Sequence, residues 1–509
     1  MIVSRWVRGW VLFAALPLAG CGGWVDVDTA GSGGTSGAGG RWGATGGSTG
    51  SSGAPTQVPA GYGFYVIPGS LQAGDNAADF DSRARLVSEN GSLVVGTTSV
   101  APAPSPGLPR GADDQVYHGE LRYFYWTSAS GTQPWEGHTP SCLSGDGSAI
   151  FSTAGVSEDG DTLSFTRWTS EGGFQDLGAS GSYEAAGMGW CSYDGQRAGG
   201  SFWKRAPVKS TSDIRAVLWA DGRWDNQVNP VLPTSEVPDG AFGWVSPVGS
   251  VSIVTSYGSP NHIYWADGDA ALELLVQPGS CIAQPASRDG KVVVSFCEVE
   301  DGFEVYRWTA DTREFARMGE LGWPDHANVK SADGSALAAS SGNQLAYLKD
   351  GTTTVATADG DLSVLGVSDD GSQVYLQQGS QALRWSEATG FVALEPLSEL
   401  PCTLLSYPGS EGPRFPEGLA VGLSSAASDD ASELVPSECA WARSRAVLWD
   451  SRGVRDIQAE LTAAGVDLQG VELHRADRVW STSGVRIMGT GNLASGALRT
   501  WIAELPARE

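Results

Sequence analysis

A short turn signal, Ser-x-Asp-Gly or a close variant of it, recurs along most of this 509-residue chain. Asp caps the amides of a tight turn and the Gly that follows accepts positive φ, so each signal predicts a β-hairpin. The strand after the turn is apolar, as at 92–97, 291–296 and 485–490. The turn signals are Glu89-Asn90-Gly91, Gly145-Asp146-Gly147, Tyr193-Asp194-Gly195, Arg288-Asp289-Gly290, Ser331–Gly334 and Asp369-Asp370-Gly371, with weaker versions at Val248-Gly249-Ser250 and Thr482-Ser483-Gly484.

Each hairpin leads to a third predicted strand that ends in an aromatic residue, and a fourth strand follows. The pentapeptide Arg-Ala-Val-Leu-Trp occurs twice, at 215–219 and 445–449, as two copies of this third strand. Four strands repeated about every 45 residues are typical of a β-propeller, an all-β fold of radially packed sheets. The repeat predicts nine blades, and seven or eight stay open because the first and eighth units are interrupted. The strand-ending aromatics are Trp126, Trp168, Trp219, Trp265, Trp308, Tyr347, Trp385, Trp449 and Trp501.

The two ends of the repeated region predict how the ring closes. The last unit ends soon after Trp501 and lacks a fourth strand, whereas an unassigned strand, 61–67, precedes the first unit. We expect this strand to complete the last blade, so that the propeller domain spans 61–509. The Pro-rich segment between Cys402 and Cys439 and a helix-like stretch, Arg455–Ala464, are predicted insertions.

The unit at Ser164–Gly178 resembles HAF-type extracellular repeats, which pair a Trp-ended strand with a Gly-x-x-x-Leu-Gly strand. The stretch Arg445–Leu505 is similar to the terminal unit of such proteins, although no unit here reads His-Ala-Phe. The Ser-x-Asp-Gly hairpins also resemble the blades of TolB-like propellers. The resemblance covers most of residues 87–505; it implies a propeller and transfers no catalytic signature.

The N-terminus reads as an export signal. Arg5 and Arg8 precede a short apolar run at 10–18, which is too short to span a bilayer. Residues 18–21, Leu-Ala-Gly-Cys, resemble the lipobox of bacterial lipoproteins. That resemblance implies a signal peptide at 1–20 and a lipidated Cys21, and Gly22 favours the outer membrane or cell surface. An ordinary signal peptide cut nearby is the alternative.

Residues 21–60 form the predicted linker. Between Thr29 and Pro55 the chain is almost entirely Gly, Ser, Thr and Ala, with Arg41 and Trp42 as exceptions. Such a composition cannot bury enough apolar surface to offset its conformational entropy. We therefore expect a flexible tether that holds a monomeric globular body away from the membrane.

Six further cysteines predict disulfides in an exported chain. Cys281 and Cys297 flank one predicted hairpin, and Cys402 and Cys439 flank one irregular stretch. This clustering leaves Cys142 with Cys191, although six cysteines allow 15 connectivities.

The formal charge of -26 argues against nucleic acid as a partner. No catalytic or cofactor motif stands out, and no cofactor is expected. The Asp-Gly-Asp clusters favour hairpin turns over calcium sites, because other EF-hand ligands are missing. The histidines are scattered, at 118, 138, 262, 326 and 474, and the clusters lie at 159–161, 267–269 and 359–361.

The sequence thus predicts an exported, lipid-anchored binding or surface-display module for a protein or glycan. A polysaccharide-active hydrolase or lyase and a structural envelope component are the alternatives. Tryptophans near predicted loops are candidates for stacking on sugars or contacting a partner, with core packing as the other possible role. These are Trp190, Trp203, Trp224, Trp244 and Trp323.

Overall fold

The structure is a computed structural model. It describes residues 60–68, 80–100, 122–153, 164–179, 185–203, 214–220, 223–224, 241–248, 250–256, 262–268, 273–278, 281–285, 287–300, 302–321, 329–406, 415–416, 418–427, 439–481 and 484–506. The predicted signal peptide and all of the predicted linker except Ala60 lie outside these residues.

The described residues form nine four-stranded antiparallel sheets that pack in sequence as the blades of a propeller, which confirms the all-β fold and the count of nine. Strand β1 (Gly63–Val66) precedes the first blade. Blades 1 to 3 contain β2 (Phe80–Val87), β3 (Leu93–Val100), β4 (Arg122–Thr127), β5 (Gly131–Pro134), β6 (Thr139–Leu143), β7 (Ala149–Thr153), β8 (Ser164–Thr169), β9 (Gly173–Ala179), β10 (Ala185–Cys191), β11 (Arg197–Trp203), β12 (Ile214–Ala220) and β13 (Arg223–Trp224).

Blades 4 to 6 contain β14 (Ala241–Val245), β15 (Val251–Ser256), β16 (His262–Asp267), β17 (Glu273–Leu275), β18 (Cys281–Pro285), β19 (Val292–Val299), β20 (Gly302–Thr309), β21 (Phe315–Leu321), β22 (Val329–Lys330), β23 (Ala336–Ser341), β24 (Gln344–Lys349) and β25 (Thr352–Thr357). Blades 7 and 8 contain β26 (Ser363–Val367), β27 (Val374–Gln378), β28 (Gln381–Ser386), β29 (Gly390–Ala393), β30 (Cys402–Leu405), β31 (Ala420–Ala427), β32 (Cys439–Asp450) and β33 (Gly453–Asp456). Blade 9 contains β34 (Val471–Ser481), β35 (Gly484–Leu493) and β36 (Leu498–Pro506).

Strand β1 completes blade 9. It pairs antiparallel with β36, from Gly63 opposite Glu504 to Val66 opposite Trp501, and becomes the fourth strand of that sheet. The expected closure of the ring by the N-terminal strand is therefore present in the structure. The helix-like insertion is one short helix, α1 (Ile457–Ala463), capped by the carboxylate of Asp456. In the described part of the chain no helix has the length and apolar character that crossing a membrane requires.

The recurring turns share one hydrogen-bond pattern, which blade 6 illustrates. The Ser331 hydroxyl donates to the Asp333 carboxylate at 2.7 Å and accepts from the Ala336 amide at 3.0 Å. The Ser335 amide also donates to Asp333, at 2.9 Å, and Gly334 has φ of 67°. Because the serine is buried and fully used, this residue type is needed to join the first strand of the blade to the second.

The nine aromatics of the third strands lie between blades, and each is at most 8% exposed. Trp501 does not end its strand as predicted, because β36 continues to Pro506. In the second Arg-Ala-Val-Leu-Trp copy, Ala446 and Leu448 face the core shared with blade 9. Val447 and Trp449 face the core shared with blade 7. Successive side chains thus alternate between the two faces of the strand, and the repeated pentapeptide is a piece of scaffold.

Two of the aromatics have the opposite orientation. Trp265 in blade 4 and Tyr347 in blade 6 face the following blade, where they meet Trp308 and Trp385 with ring centroids 5.2 and 5.0 Å apart. In both, two residues follow the aromatic before the strand ends, whereas one follows Trp308. A shift of one residue moves a side chain to the other face of a strand.

The structure contains disulfides between Cys142 and Cys191 and between Cys281 and Cys297. The expected bond between Cys402 and Cys439 is not formed, which corrects the inference from their position in the sequence. They lie on β30 and β32, on either side of β31, at the positions of Ser425 and Ala427. Two strands that flank a third are roughly 10 Å apart, beyond the reach of a disulfide.

Candidate functional site

The recurring turns form a collar around the propeller axis on one face of the ring. Each turn joins the first strand of its blade to the second, so the turns share one face, and backbone hydrogen bonds connect neighbours. The Asn90 amide donates to Gly145 O at 3.1 Å, and the Arg288 amide donates to Ala332 O at 2.9 Å. This turn collar, which comprises the turns beginning at Ser88, Ser144, Ser192, Ser246, Ser287, Ser331 and Ser368, fixes the shape of the axial opening.

An ion pair crosses this opening. Glu89 in blade 1 accepts a hydrogen bond from Arg288 in blade 5, and both residues occupy the second position of their turns. Three blades separate the two turns along the ring, so the long side chains of Glu89 and Arg288 meet across the opening. Tyr193, the same position in blade 3, is 39% exposed. The collar thus presents the Glu89–Arg288 ion pair and the Tyr193 ring at the axis, and Asp369 holds the same turn position in blade 7.

The aspartates at the third position of the turns are committed to the scaffold. Burial alone would raise the pKa of Asp333, but hydrogen bonds from Ser331 and Ser335 lower it below its ordinary value. The same balance, with Ser368 and Ser372, lowers the pKa of Asp370. A general acid needs a raised pKa and a free proton to donate, so these two aspartates have the wrong protonation state for acid catalysis.

The innermost strand of blade 9 carries the second polar cluster near the axis. Its pairing with β35 shifts register between Ala476 and Arg478, and such irregularities often redirect side chains at functional sites. Asp477 lies at this shift and forms an ion pair with Arg475. Burial raises the pKa of Asp477, while the charges of Arg475 and Arg478 and a hydrogen bond with Thr490 oppose the rise.

Lys330 belongs to the innermost strand of blade 6, and burial lowers its pKa to about 8. A lysine and a carboxylic acid with pKa values displaced toward neutrality are the groups that acid–base chemistry uses. Lys330 lies in blade 6 and Asp477 in blade 9, so blades 7 and 8 separate them along the ring. The arrangement therefore supplies two separate polar positions on the inner wall.

The other sequence candidates are dispersed. His138 is exposed, and His474 Nδ1 lies 3.2 Å from Ser444 O. The side chain of His262 is outside the described set, and so are the residues His118 and His326. No group of three or more metal-ligating side chains occurs among the described residues. Of the Asp-Gly-Asp clusters, 359–361 is described throughout, 267–269 only in part, and 159–161 not at all.

The structure describes the side chains of two of the five candidate tryptophans. Trp190 and Trp244 are half-buried, and Trp244 packs on the core between blades 4 and 5. The side chains of Trp203, Trp224 and Trp323 lie outside the description. Sequence reasoning missed the Glu89–Arg288 pair, because nothing in the repeat predicts which turns face each other across the ring.

Comparison with known proteins gives structural similarity alone. No family model and no curated protein matches the chain. The β-propeller domain of the Trilobed protease from Pyrococcus furiosus is 12% identical with a TM-score of 0.35, over 62% of this chain and 92% of that one. An oligogalacturonate lyase from Vibrio parahaemolyticus is 11% identical with a TM-score of 0.37, over 88% and 97%.

A prolyl endopeptidase is 11% identical with a TM-score of 0.38 over 73% of this chain, and the chain spans 55% of its length. TolB from Acinetobacter baumannii is 13% identical with a TM-score of 0.27, over 71% and 81%. Similarities at this level carry no inference about function, and the lipoprotein and HAF-type resemblances of the sequence stay predictions.

Proposed function

We propose that this chain is an exported, lipid-anchored propeller that acts as a non-catalytic binding module for a glycan or protein at the cell envelope. The main support is that the turn collar contains two sets of residues, one that holds the turns together and one that faces the axis. The serines and aspartates that recur bind one another and the backbone, whereas the variable second position presents Glu89, Tyr193 and Arg288 at the axis. A rigid ring that displays variable side chains suits recognition.

Binding is tested on glycan and peptide arrays with the purified mature protein. We expect retention of one ligand class, weakened by Glu89→Gln and Arg288→Gln and unchanged by Lys349→Ser, a charge change on a distant turn. An array without any reproducible ligand would overturn the binding function.

A polysaccharide hydrolase or lyase is the second candidate, and the raised pKa of Asp477 favours it. Incubating surface polysaccharides with the protein distinguishes the two. We expect no new reducing ends or unsaturated products. Turnover that Asp477→Asn abolishes, while the melting temperature is kept, would replace the binding function with catalysis.

The anchor rests on the lipobox-like segment and has its own test. We expect radioactive palmitate to label the wild-type protein and fractionation to place it with the outer membrane. Unlabelled wild type, or label that survives Cys21→Ala, would contradict lipidation at this cysteine.

A further inference from the structure

A cavity of about 270 Å³ lies at the seam between blades 4 and 5, away from the axis. Its polar lining consists of Asp267 and Glu273 from blade 4 and Lys291, Asp311 and Arg313 from blade 5. Lys291 and Arg313 differ from the residues found at the same positions in other blades.

Lys291 occupies the position that directly follows the turn glycine. In blades 1, 2, 4, 6 and 7 that residue is serine, at 92, 148, 250, 335 and 372, and in blade 3 it is Gln196. The serines serve the scaffold: Ser148 Oγ, for example, donates to Asp194 O of the next blade at 3.3 Å. Among the described residues the Lys291 ammonium has no hydrogen-bond or ion-pair partner, and its side chain is exposed at the cavity.

Arg313 occupies the left-handed position of the turn between the third and fourth strands. Blades 1, 2 and 7 have glycine there, with φ of 65° to 66° at Gly131, Gly173 and Gly390, whereas Arg313 has φ of 54°. A side chain in this conformation is strained, and such strain persists where the residue is needed for something else. The Arg313 guanidinium crosses the seam and pairs with Glu273 at 2.9 Å.

Lys291 and Arg313, the two residues that differ from the repeat, thus line the same cavity. Guanidinium and ammonium groups are donors that recognise a carboxylate, and Asp267 and Asp311 can accept hydrogen bonds from hydroxyl groups. Asp267 Oδ1 already accepts one from the Ser250 hydroxyl, so a ligand hydroxyl would use the other carboxylate oxygen. Asp311 has no partner of its own among the described residues. A ligand that matches this lining carries one carboxylate and several hydroxyls on a compact frame.

We propose that this cavity binds a uronic acid unit of an acidic glycan, with Lys291 and Arg313 on its carboxylate and Asp267 and Asp311 on its hydroxyls. The cavity is a second contact for the same ligand, separate from the turn collar; it rests on the glycan form of the proposed function and gives that function a ligand class. Because the carboxylate is the recognised group, neutral sugars of the same shape bind poorly.

The test is isothermal titration calorimetry of the mature protein with glucuronic and galacturonic acid, and with glucose and galactose as neutral counterparts. Lys291→Ser and Arg313→Gly each restore the residue of the sister blades, so both variants keep the fold, and Arg313→Gly relieves strain. Each is expected to weaken uronate affinity about tenfold or more, as for loss of one charge-assisted hydrogen bond. Lys349→Ser, which removes the same charge from blade 6, is expected to leave affinity within about twofold.

No heat from any uronic acid, equal affinity for the neutral sugars, or preference for a free amino acid such as glycine would each overturn the site. Unchanged affinity in the Lys291→Ser/Arg313→Gly double variant would do so as well. If the arrays still show a glycan ligand in that case, the binding function stands and the cavity is not its site.

Discussion

The seam between blades 4 and 5 and the seam that closes the ring between blades 9 and 1 join similar sheets by different means. Trp265 and Trp308 fill the first together with Ile253 and Val293, and Trp265 Nε1 donates to Gly290 O at 2.9 Å. The interior of this seam is held by apolar burial, whereas its charged contacts, such as that of Arg313 with Glu273, lie at the exposed edge.

The closing seam is polar as well as apolar. Arg499, 2% exposed, donates to Phe80 O and, at 2.7 Å, to Leu498 O. Asp81 accepts from the Leu498 amide at 2.8 Å. The Ala84 amide donates to Thr500 Oγ1 at 2.9 Å.

The difference follows from chain connectivity. Blades 4 and 5 are consecutive, so a short connection already sets their relative position. Blades 9 and 1 meet from opposite ends of the chain, and apolar surfaces alone tolerate slippage between them. Directional hydrogen bonds at Asp81, Thr500 and Arg499 fix one register at that seam.

Deleting residues 61–68 has the largest expected effect on stability, because it disrupts the closing seam between blades 9 and 1. The deletion removes β1 with Ile67, which is fully buried, and Tyr65, whose ring lies 5.4 Å from that of Trp126. Each large buried side chain lost costs roughly 2–5 kcal/mol, so we expect loss of the cooperative transition in urea. Deleting eight residues of the preceding linker, 45–52, is the control. An unchanged urea midpoint in the 61–68 deletion would refute closure by β1.

Replacing Arg499 tests the polar part of the same seam. Burial lowers the pKa of Arg499, and the charge of Asp81 opposes the shift. Arg499→Met leaves Asp81 buried without this cation, and we expect a cost of about 3 kcal/mol in urea unfolding. Adding Asp81→Asn should recover part of that loss. Strictly additive effects in this double-mutant cycle would show that the two residues do not cooperate.

Trp265→Phe makes the corresponding change at the apolar seam. The variant keeps most of the buried ring and loses the hydrogen bond to Gly290 O, so we expect about 1 kcal/mol of destabilisation. Chemical denaturation followed by tryptophan fluorescence measures it. A cost as large as that of Arg499→Met would remove the contrast between the seams.

Asp333→Asn separates charge from geometry in one turn, with a small expected effect. Blade 1 already has Asn90 at this position, with Ser88 donating to it at 2.8 Å. Because the folded pKa of Asp333 lies below its ordinary value, the carboxylate stabilises the fold above about pH 4 and loses that effect as pH falls through the folded pKa. Wild type should exceed the variant in melting temperature at pH 7 and match it in strong acid. A constant difference across pH would assign the effect to geometry.

Much of the fold could be predicted from the chain because the repeat specifies it locally. The turn from Ser331 to Gly334 carries its own hydrogen-bond partners within six residues, so its sequence defines its structure. The orientation of Tyr347 was also encoded. Lys349 pairs with Thr352 across the two-residue turn Asp350-Gly351. Tyr347 therefore lies one residue further from the end of its strand than Trp308 does, and its side chain is on the opposite face.

The candidate sites were harder to predict because they depend on contacts between distant blades. Glu89 and Arg288 are 199 residues apart and meet across the ring. Likewise Cys402 and Cys439 flank one insertion in the sequence but lie on opposite sides of β31. The cavity between blades 4 and 5 is marked in the sequence by two departures from the repeat, Lys291 and Arg313. These departures are visible only when the turns of several blades are compared.

The central claim is that repeated residues build the ring and that departures from the repeat bind the ligand. Hydrogen–deuterium exchange of the mature protein, with and without the glycan selected on the arrays, tests it directly. We predict ligand-dependent protection at the collar turns 88–91 and 192–195 and at the cavity segments 287–291 and 309–315, with no change at the consensus turns 331–335 and 368–372. Equal protection of all these turns, or protection confined to the consensus turns, would contradict the claim.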